Sequence, residues 1–433
     1  MSDYMFMLES HLGPEQSRVV AEVEAAATEH NVTLFLTGGA MRDMLGGFPI
    51  RDLDFTVEGS ALKLAQAVAK KSGARIVNTD ENRRSAELRF AGGVTAEIAM
   101  AREERYTKPG ASPQVHPATI HDDLRGRDFT INAIALSLNR SSRGLLLDPN
   151  NGLGDLEHKE MRATGTYTFY DDPVRLLRLI RLRARLGFAV EARTQLQYEN
   201  AREAQVERHI GPRALCRELS LVAEEPVPAE IVESLARERL LALFSPALEG
   251  AKLNLQAVSR MQKARQMIPF GVDLQLDSVG LFLLFLTEKL NSREKAALVK
   301  NLHMHKAEVA QWQTLEARSR KLEKALKSPK LHRPSQVYQV LREAAGDQAM
   351  FLLLRSSQRL VQDRIRNYFQ KYLPAAQEVT ERELLATGLQ PGTEKYKKMK
   401  GQMVAARLDA RPKKPAPAPE PATVVPAAAP ARR

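Results

Sequence analysis

Residues 37–43 read Thr37-Gly38-Gly39-Ala40-Met41-Arg42-Asp43, and residues 51–55 read Arg51-Asp52-Leu53-Asp54-Phe55. Just before them, Val32 to Leu36 is an apolar run of strand length that ends at Gly38-Gly39. Ala40 to Leu45 reads as a helical turn, and Leu53 to Val57 alternates as a strand does. Upstream, Val19, Val20, Val23 and Ala26 recur with helical period over 14–30. Downstream, 61–71 reads as a helix, with short strands at Arg75–Asn78, Ala86–Ala91 and Thr95–Met100. The pattern predicts an α+β chain whose head, residues 1–150, is built on a mixed sheet.

From about residue 172 helical periodicity takes over and runs to about 410. Breaks fall near Gly211-Pro212, Pro226 to Pro228, Asn291 and Leu389 to Gly392. These divide the helical part into a neck, 151–225, and a body and tail, 226–410. The Pro- and Ala-rich segment 411–433 has basic ends and too little apolar bulk to bury a core, so it is expected to be disordered.

The whole chain has 433 residues, with 64 Lys and Arg against 52 Asp and Glu, a net charge of +12. That surplus favours a polyanionic partner, because bound phosphates release their condensed counterions. The single cysteine, Cys216, excludes a disulfide framework and a cysteine-based zinc site within one chain. Met1 to Leu12 carries Asp3, Glu9 and His11 and lacks the basic and apolar blocks of a secretory signal. With no transmembrane run either, the expected location is cytoplasmic and no membrane partner is expected. Oligomeric state is left open.

Asp52 and Asp54 are two apart, which on a strand places both carboxylates on one face. Two like charges so close repel unless a cation sits between them. Mg²⁺ suits: it prefers hard oxygen ligands and keeps waters and substrate phosphates in its shell. Such ions activate an attacking hydroxyl and stabilise departing pyrophosphate. Gly38 and Gly39 let the backbone approach a triphosphate, and Arg42 stands just beyond. The plain alternative is an acidic strand end after an ordinary turn. Glu97, within Thr95-Ala96-Glu97-Ile98-Ala99, is a candidate third carboxylate, or else a charge on the exposed face of an edge strand.

A second segment is Arg125-Gly126-Arg127-Asp128-Phe129-Thr130-Ile131-Asn132-Ala133-Ile134-Ala135-Leu136. It reads as a capped amphipathic helix starting near Asp128 or Thr130, with Arg127 free to contact phosphate or sugar. The third runs from Asp171-Asp172-Pro173-Val174-Arg175 through Arg178 and Arg181 to Gly187. Pro173 suits a first helical turn and Asp172 its N-cap. Asp172, Arg175, Arg178 and Arg181 stand three apart, so neighbours touch while the row winds around the helix. Leu176, Leu177, Leu179, Ile180 and Leu182 make that helix apolar on several sides, so some arginines must be buried and in need of anions.

Together these segments resemble class II tRNA nucleotidyltransferases, the bacterial CCA-adding enzymes and their poly(A) polymerase relatives. The resemblance is specific through about residue 220. It extends more loosely to Leu389-Gln390-Pro391-Gly392 and Ala406-Arg407-Leu408-Asp409. It implies a polymerase-beta-like nucleotidyltransferase head followed by an all-helical neck, body and tail. Gly38, Gly39 and Arg42 would bind the triphosphate, Asp52 and Asp54 the Mg²⁺, and Arg127 and Asp128 the nucleotide. Asp172 and Arg175 would act as an amino-acid template for CTP and ATP, with Arg178 and Arg181 continuing the row. A carboxylate accepts from the exocyclic amine of cytosine or adenine, and a guanidinium donates to the adjacent ring acceptor. Ile210-Gly211-Pro212-Arg213 through Glu218-Leu219 resembles the segment that braces this helix. Residues 101–122, with Arg102, Arg105, Tyr106 and Pro109-Gly110, look like the family's flexible loop, or are a plain surface loop.

Two departures stand out: Arg-Gly-Arg-Asp where an unbroken arginine run is usual, and Arg181-Leu182-Arg183 where phenylalanine often follows the arginine. No HD phosphohydrolase motif occurs in the C-terminal half. The expected activity is template-independent addition or repair of the 3′-terminal CCA of tRNA from CTP and ATP. The alternatives are an A-adding or CC-adding enzyme, a poly(A) polymerase, or a non-catalytic RNA-binding protein.

Overall fold

The computed structural model describes residues 3–269, 272, 274 and 276–410. The expectation for 411–433 lies outside the described residues. Contacts divide the chain into one unit of Met1–Ser259 with Phe282–Val309, and a second of Arg260–Leu281 with the chain from Ala310 onward.

The first unit opens with helices α1 (Asp3–His11) and α2 (Pro14–Glu29). Pro14 occupies the first turn of α2, where a missing N–H costs nothing, and Gln16 reaches back to accept from Gly13 N at 3.0 Å. Val19, Val20, Val23, Ala26 and Ala27 form its buried face. Strand β1 (Thr33–Thr37) runs into helix α3 (Gly38–Leu45), and β2 (Leu53–Glu58) into α4 (Ala61–Ser72), which stops at the left-handed Gly73. Then come β3 (Arg75–Asp80), β4 (Ser85–Arg89), β5 (Thr95–Met100), β6 (Arg102–Arg105) and β7 (Gln114–Pro117). Helix α5 (Ile120–Arg125), a 3-10 turn at Thr130–Asn132, β8 (Ala135–Ser137) and β9 (Leu146–Leu147) complete the head.

Seven strands form one sheet in the order β3-β4-β5-β2-β1-β8-β9, and β2 and β5 run parallel. Leu53, Phe55 and Val57 of β2 point to the buried face with Ile98 and Ala86 across the register. Helices α2 and α4 pack on the sheet. The opposite face carries Asp54, Thr56 and Glu58, so strand alternation sorts core from chemistry.

The segment 128–136 is not a helix. It makes a single 3-10 turn and then strand β8, whose Ala135 and Leu136 pair with Thr37 and Leu36 of β1. Ile131, Ala133, Ile134, Ala135 and Leu136 are wholly buried, so no solvent-facing stripe remains for an amphipathic helix. Glu97 is likewise not on an edge: β5 lies between β4 and β2.

After β9 come α6 (Gly152–His158), α7 (Thr168–Asp171), α8 (Val174–Leu186), α9 (Ala192–Glu203), α10 (Pro212–Glu224) and α11 (Pro228–Arg237), the last lying beyond the 151–225 expected for the neck. Two-residue strands at Glu160–Met161 and Ala189–Val190 pair in parallel. Helix α8 ends where Gly187 turns left-handed, and α10 starts with Pro212 in its first turn.

In the second unit, helices at Leu315–Leu326, Pro334–Glu343, Gly346–Arg355 and Arg359–Asn367 pack around Tyr338, Tyr368 and Phe369. Arg364 donates to the carbonyls of Leu326, Ser328 and Leu331, which satisfies the end of one helix with a cation from another. Helices Glu381–Leu385 and Glu394–Ala410 flank the break at 389–392. Asp409 accepts from Ser335 N at 3.0 Å and from its hydroxyl at 2.7 Å, tying the last helix to the start of Pro334–Glu343. Among the described residues no helix is long and apolar enough to cross a membrane.

Candidate active site

The chain enters α3 through Thr37, which is extended, and Gly38, whose φ is +63°. A Cβ at Gly38 would lie 3.0 Å from Asp54 Oδ2 and 3.1 Å from Arg127 Nη1, and one at Gly39 would lie 3.1 Å from Asp54 Oδ2. Both glycines therefore leave space for the Asp54 carboxylate packed against them, and Gly38 is favoured also by its left-handed backbone. Asp54 Oδ2 accepts from Gly39 N at 2.8 Å and from Ala40 N at 3.3 Å, at the first turn of α3.

Asp54 faces Glu97 directly across β2 and β5, and Glu97 faces Glu87 across β5 and β4. The row of three acids was not legible from Asp52 and Asp54 alone, because only the sheet order makes Glu87 a neighbour. Burial, and then the charges of Glu97 and Asp52, push the Asp54 carboxyl up to about 7, against the pull of Arg127. Asp52 stands just before β2, exposed, and accepts from the Thr95 hydroxyl. Among the described residues no three His, Cys, Asp or Glu side chains gather closely enough to hold a metal ion by themselves. Two neighbouring carboxylates, Asp52 and Asp54, are hard oxygen donors of the kind Mg²⁺ prefers.

Arg127 lies beneath this turn. It donates from Nη2 to Thr56 Oγ1 at 2.9 Å and to Thr37 Oγ1 at 3.2 Å, and from Nε to Asp123 Oδ2 at 2.9 Å. Arg42 is buried; its Nη1 donates to Asn132 Oδ1 and its Nη2 to Asp43 Oδ1, both at 2.8 Å. Asp128 Oδ1 accepts from Phe129 N at 2.7 Å and Asn132 Nδ2 at 3.0 Å, and Oδ2 accepts from Arg178 Nη1 at 2.8 Å. Burial alone would raise the Asp128 carboxyl, but Arg178 and then Arg175 hold it well below the usual carboxylate range.

The arginine row does wind. Arg175 Nη2 donates to Gly126 O at 3.1 Å, while its buried Nε has no hydrogen-bond partner. Arg178 turns to Asp128, and Arg181 donates to Glu218 at 2.8 and 3.1 Å and to Glu225 at 2.8 Å. The N-cap position of α8 falls on Pro173, which already has helical angles, and not on Asp172 as expected; Asp172 precedes it, and its Oδ1 accepts from Val174 N at 3.4 Å. Its Oδ2 lies 3.8 Å from Arg83 Nη2.

Residues 102–117 form a two-stranded hairpin, with Arg102 opposite Pro117 and Arg105 opposite Gln114. Glu104 accepts from Arg102 at 2.7 Å, Arg83 at 3.0 Å and the Tyr106 hydroxyl. Burial would raise Glu104, but Arg83 and Arg102 bring it down to about 2. Sequence reading missed Arg83 and Glu104; the run Arg102-Glu103-Glu104-Arg105 was the available signal.

Residues 34–162 match the family model of the poly(A) polymerase head domain. The chain is 33% identical over 261 residues to an A-adding tRNA nucleotidyltransferase of Aquifex aeolicus, covering 59% of this chain and 31% of that one. It is 39% identical over 199 residues to a CC-adding tRNA nucleotidyltransferase of Deinococcus radiodurans, covering 46% and 51%. The chain thus spans about a third to a half of the length of these curated relatives. A solved structure of a CCA-adding enzyme in an apo form shares the fold over 96% of both chains, with a TM-score of 0.54 and 24% identity. The resemblance read from the three motifs is borne out.

Proposed function

We propose that this chain is a template-independent nucleotidyltransferase that builds or repairs the 3′-terminal CCA of tRNA from CTP and ATP, releasing pyrophosphate. The observation that carries the reading is Asp54. Its carboxylate is held against the Gly38-Gly39 turn by two backbone N–H groups and stands directly opposite Glu97 and two residues from Asp52, a cluster of acids that favours a cation. Asp52 and Asp54 would hold Mg²⁺, and Glu97 supports them electrostatically from the next strand. Such an ion would supply the positive charge that polarises the α-phosphate and eases deprotonation of the tRNA 3′-hydroxyl.

The chain's own residues bind and orient. Gly38, Gly39, Arg42 and Arg127 receive the triphosphate, with Asp128 holding the wall behind them. Asp172 and Arg175 read the base: the carboxylate accepts from the exocyclic amine, and the guanidinium donates to the ring acceptor beside it. The unpartnered Nε of Arg175 supports this role. Arg178 and Arg181, paired to Asp128, Glu218 and Glu225, anchor the helix that presents Arg175. The head (1–150) performs the transfer, the neck (151–225) selects the nucleotide, and helices of 226–410 hold tRNA by shape and phosphate. The tail (411–433) adds basic charge. Such a substrate places the protein in the cytoplasm.

A second reading, addition of A alone, is favoured by the A-adding relative. One assay separates the two. Purified protein receives tRNA lacking three, two or one terminal nucleotides, with CTP and ATP separately and together. CCA synthesis requires C incorporation on the shortest substrate. Incorporation of A alone, onto tRNA ending in CC, overturns it in favour of the second reading, and no incorporation with Mg²⁺ present supports an RNA binder. In the same assay Asp172→Ala relaxes nucleotide choice or abolishes activity while tRNA affinity persists. Unchanged selectivity removes the template role.

A further inference from the structure

The reading above leaves one strongly held carboxylate without a task. Glu225, at the C-cap of α10, is 1% exposed. Three arginines from two other parts of the first unit converge on it. Arg181 Nη1 donates to its Oε1 at 2.8 Å, and Arg51 Nη2 to its Oε2 at 3.0 Å, with Arg185 Nε 3.5 Å from the same oxygen. Arg185 in turn donates from Nη2 to Asp43 Oδ2 at 2.6 Å, and Asp43 Oδ1 is the acceptor for Arg42.

The positions of these partners give the cluster its meaning. Arg51 is the residue before Asp52, on the segment 46–52, which joins α3 to β2 without helix or strand of its own. The other side of that segment is fixed by Gln16 Nε2, which donates to Ile50 O at 2.8 Å. Asp52 itself, being exposed and outside the strand, has no ladder position to hold it as Asp54 has. Arg181 and Arg185 lie on α8, two and three turns beyond Asp172 and Arg175. Asp43 lies one turn beyond Gly39. A single buried carboxylate therefore joins the metal-side turn, the triphosphate-side helix and the nucleotide-selecting helix. The proximity is also visible in Glu224, the preceding residue, whose carboxyl is raised by burial and then by the charge of Asp52.

We infer that Glu225 is a positioning residue for nucleotidyl transfer: through Arg51 it fixes where Asp52 stands relative to α8. It touches neither substrate nor metal. The inference rests on the nucleotidyltransferase reading and adds to it the part that sets the distance between the metal carboxylates and the residues that read the base. Misplacement of a reacting group by about 1 Å costs roughly a hundredfold in rate.

The test uses the full chain with Glu225→Gln, which keeps the shape and an acceptor oxygen but removes the charge, and with Arg51→Gln. Initial rates are measured at saturating tRNA and nucleotide while Mg²⁺ is varied, alongside tRNA affinity and the Mg²⁺-induced rise in Tm. The expected result for each variant is a fall in kcat of about 10- to 100-fold and a several-fold rise in the Mg²⁺ needed for half-maximal rate, with tRNA affinity and the KM for nucleotide little changed. The double variant is no worse than the more damaged single one, since both substitutions break one linkage. A wild-type kcat and Mg²⁺ curve in Glu225→Gln overturns the inference. So does a loss of activity that merely follows the unfolded fraction. If Glu225→Gln does not fold, Arg51→Gln, on a side chain one-third exposed, decides by the same criteria. If the wild type incorporates no nucleotide, the transferase reading falls by itself. The Mg²⁺-induced Tm shift then decides: equal shifts in wild type and variant overturn the role of Glu225, and a reduced shift supports it.

Discussion

At the scale of single residues, the site is a set of charges held in place by one another. Asp54 is placed by two backbone N–H groups and opposed by Glu97, so it gains from a cation what it loses by burial. Asp54→Asn should therefore abolish the Mg²⁺-induced rise in Tm and lower nucleotide incorporation by at least about a hundredfold, since even outer-shell metal partners are worth that much. Steady-state kinetics and thermal denaturation with and without Mg²⁺ measure both. Asp128 is the contrasting carboxylate. Its folded-state pKa is depressed, so its stabilisation is complete above the unfolded titration near about pH 4 and is lost progressively as pH falls below that point. Asp128→Asn removes the nearer of the two carboxylates on Arg178, leaving Glu218 at 3.6 Å, and should cost up to about 3 kcal/mol at neutral pH. Denaturant unfolding at pH 7 and at low pH should show the gap between variant and wild type closing in acid. A constant gap would mean that the Asp128 charge contributes nothing.

At the scale of elements, the hairpin β6–β7 is held at both ends. Its base carries Glu104, bound by Arg83 and Arg102, and its tip brings Gly110 against the neck. A Cβ at Gly110 would lie 2.2 Å from His209 O, and its φ is +69°, so only glycine fits. Asn82 adds a tie from the β3–β4 turn, donating to Ser112 Oγ at 3.2 Å. Gly110→Ala should release the tip without unfolding the sheet. Hydrogen exchange should then rise across 102–117 and stay unchanged in β1, β2 and β5. Exchange confined to its wild-type level would show that the contact holds nothing. The same scale explains the segment 128–136, whose polar opening and apolar close read as a helix. Ala135 and Leu136 pair with β1 while Ile131, Ala133 and Ile134 are buried before it, and local propensity yields to the sheet.

At the scale of the whole molecule, the +12 charge has a consequence that no single residue carries. If tRNA is the partner, binding replaces condensed counterions with Lys and Arg, and affinity depends steeply on salt. Raising salt from about 50 to about 200 mM should weaken tRNA binding about tenfold or more, while Asp172→Ala should leave the slope unchanged, since the role proposed for that residue is to read the base and not phosphate. Filter binding or fluorescence anisotropy measures the slope. A flat dependence would remove phosphate contact as the source of affinity. A CCA-adding enzyme structure shares the fold over 96% of its chain at only 24% identity, far below what the residues alone would reveal.

The local order of strand, Gly38-Gly39, α3 and the Asp52–Asp54 strand was legible in the sequence. Strand period, glycine punctuation and apolar spacing are properties of neighbours in the chain. So was the need of α8 for buried anions, since a helix apolar on several sides leaves its arginines no route to water. Which anions answer that need was not legible. Asp128, Glu218, Glu225 and Asp43 lie 37 to 142 residues away from the arginines they hold. The rank of Glu87, Glu97 and Asp54 depends on sheet order and register in the same way. The sequence by itself determined the kinds of element and the chemical types at the Gly-Gly turn and on α8. Only the tertiary structure decided which charges meet, because electrostatic pairing depends on distance in space and the chain records distance only along itself.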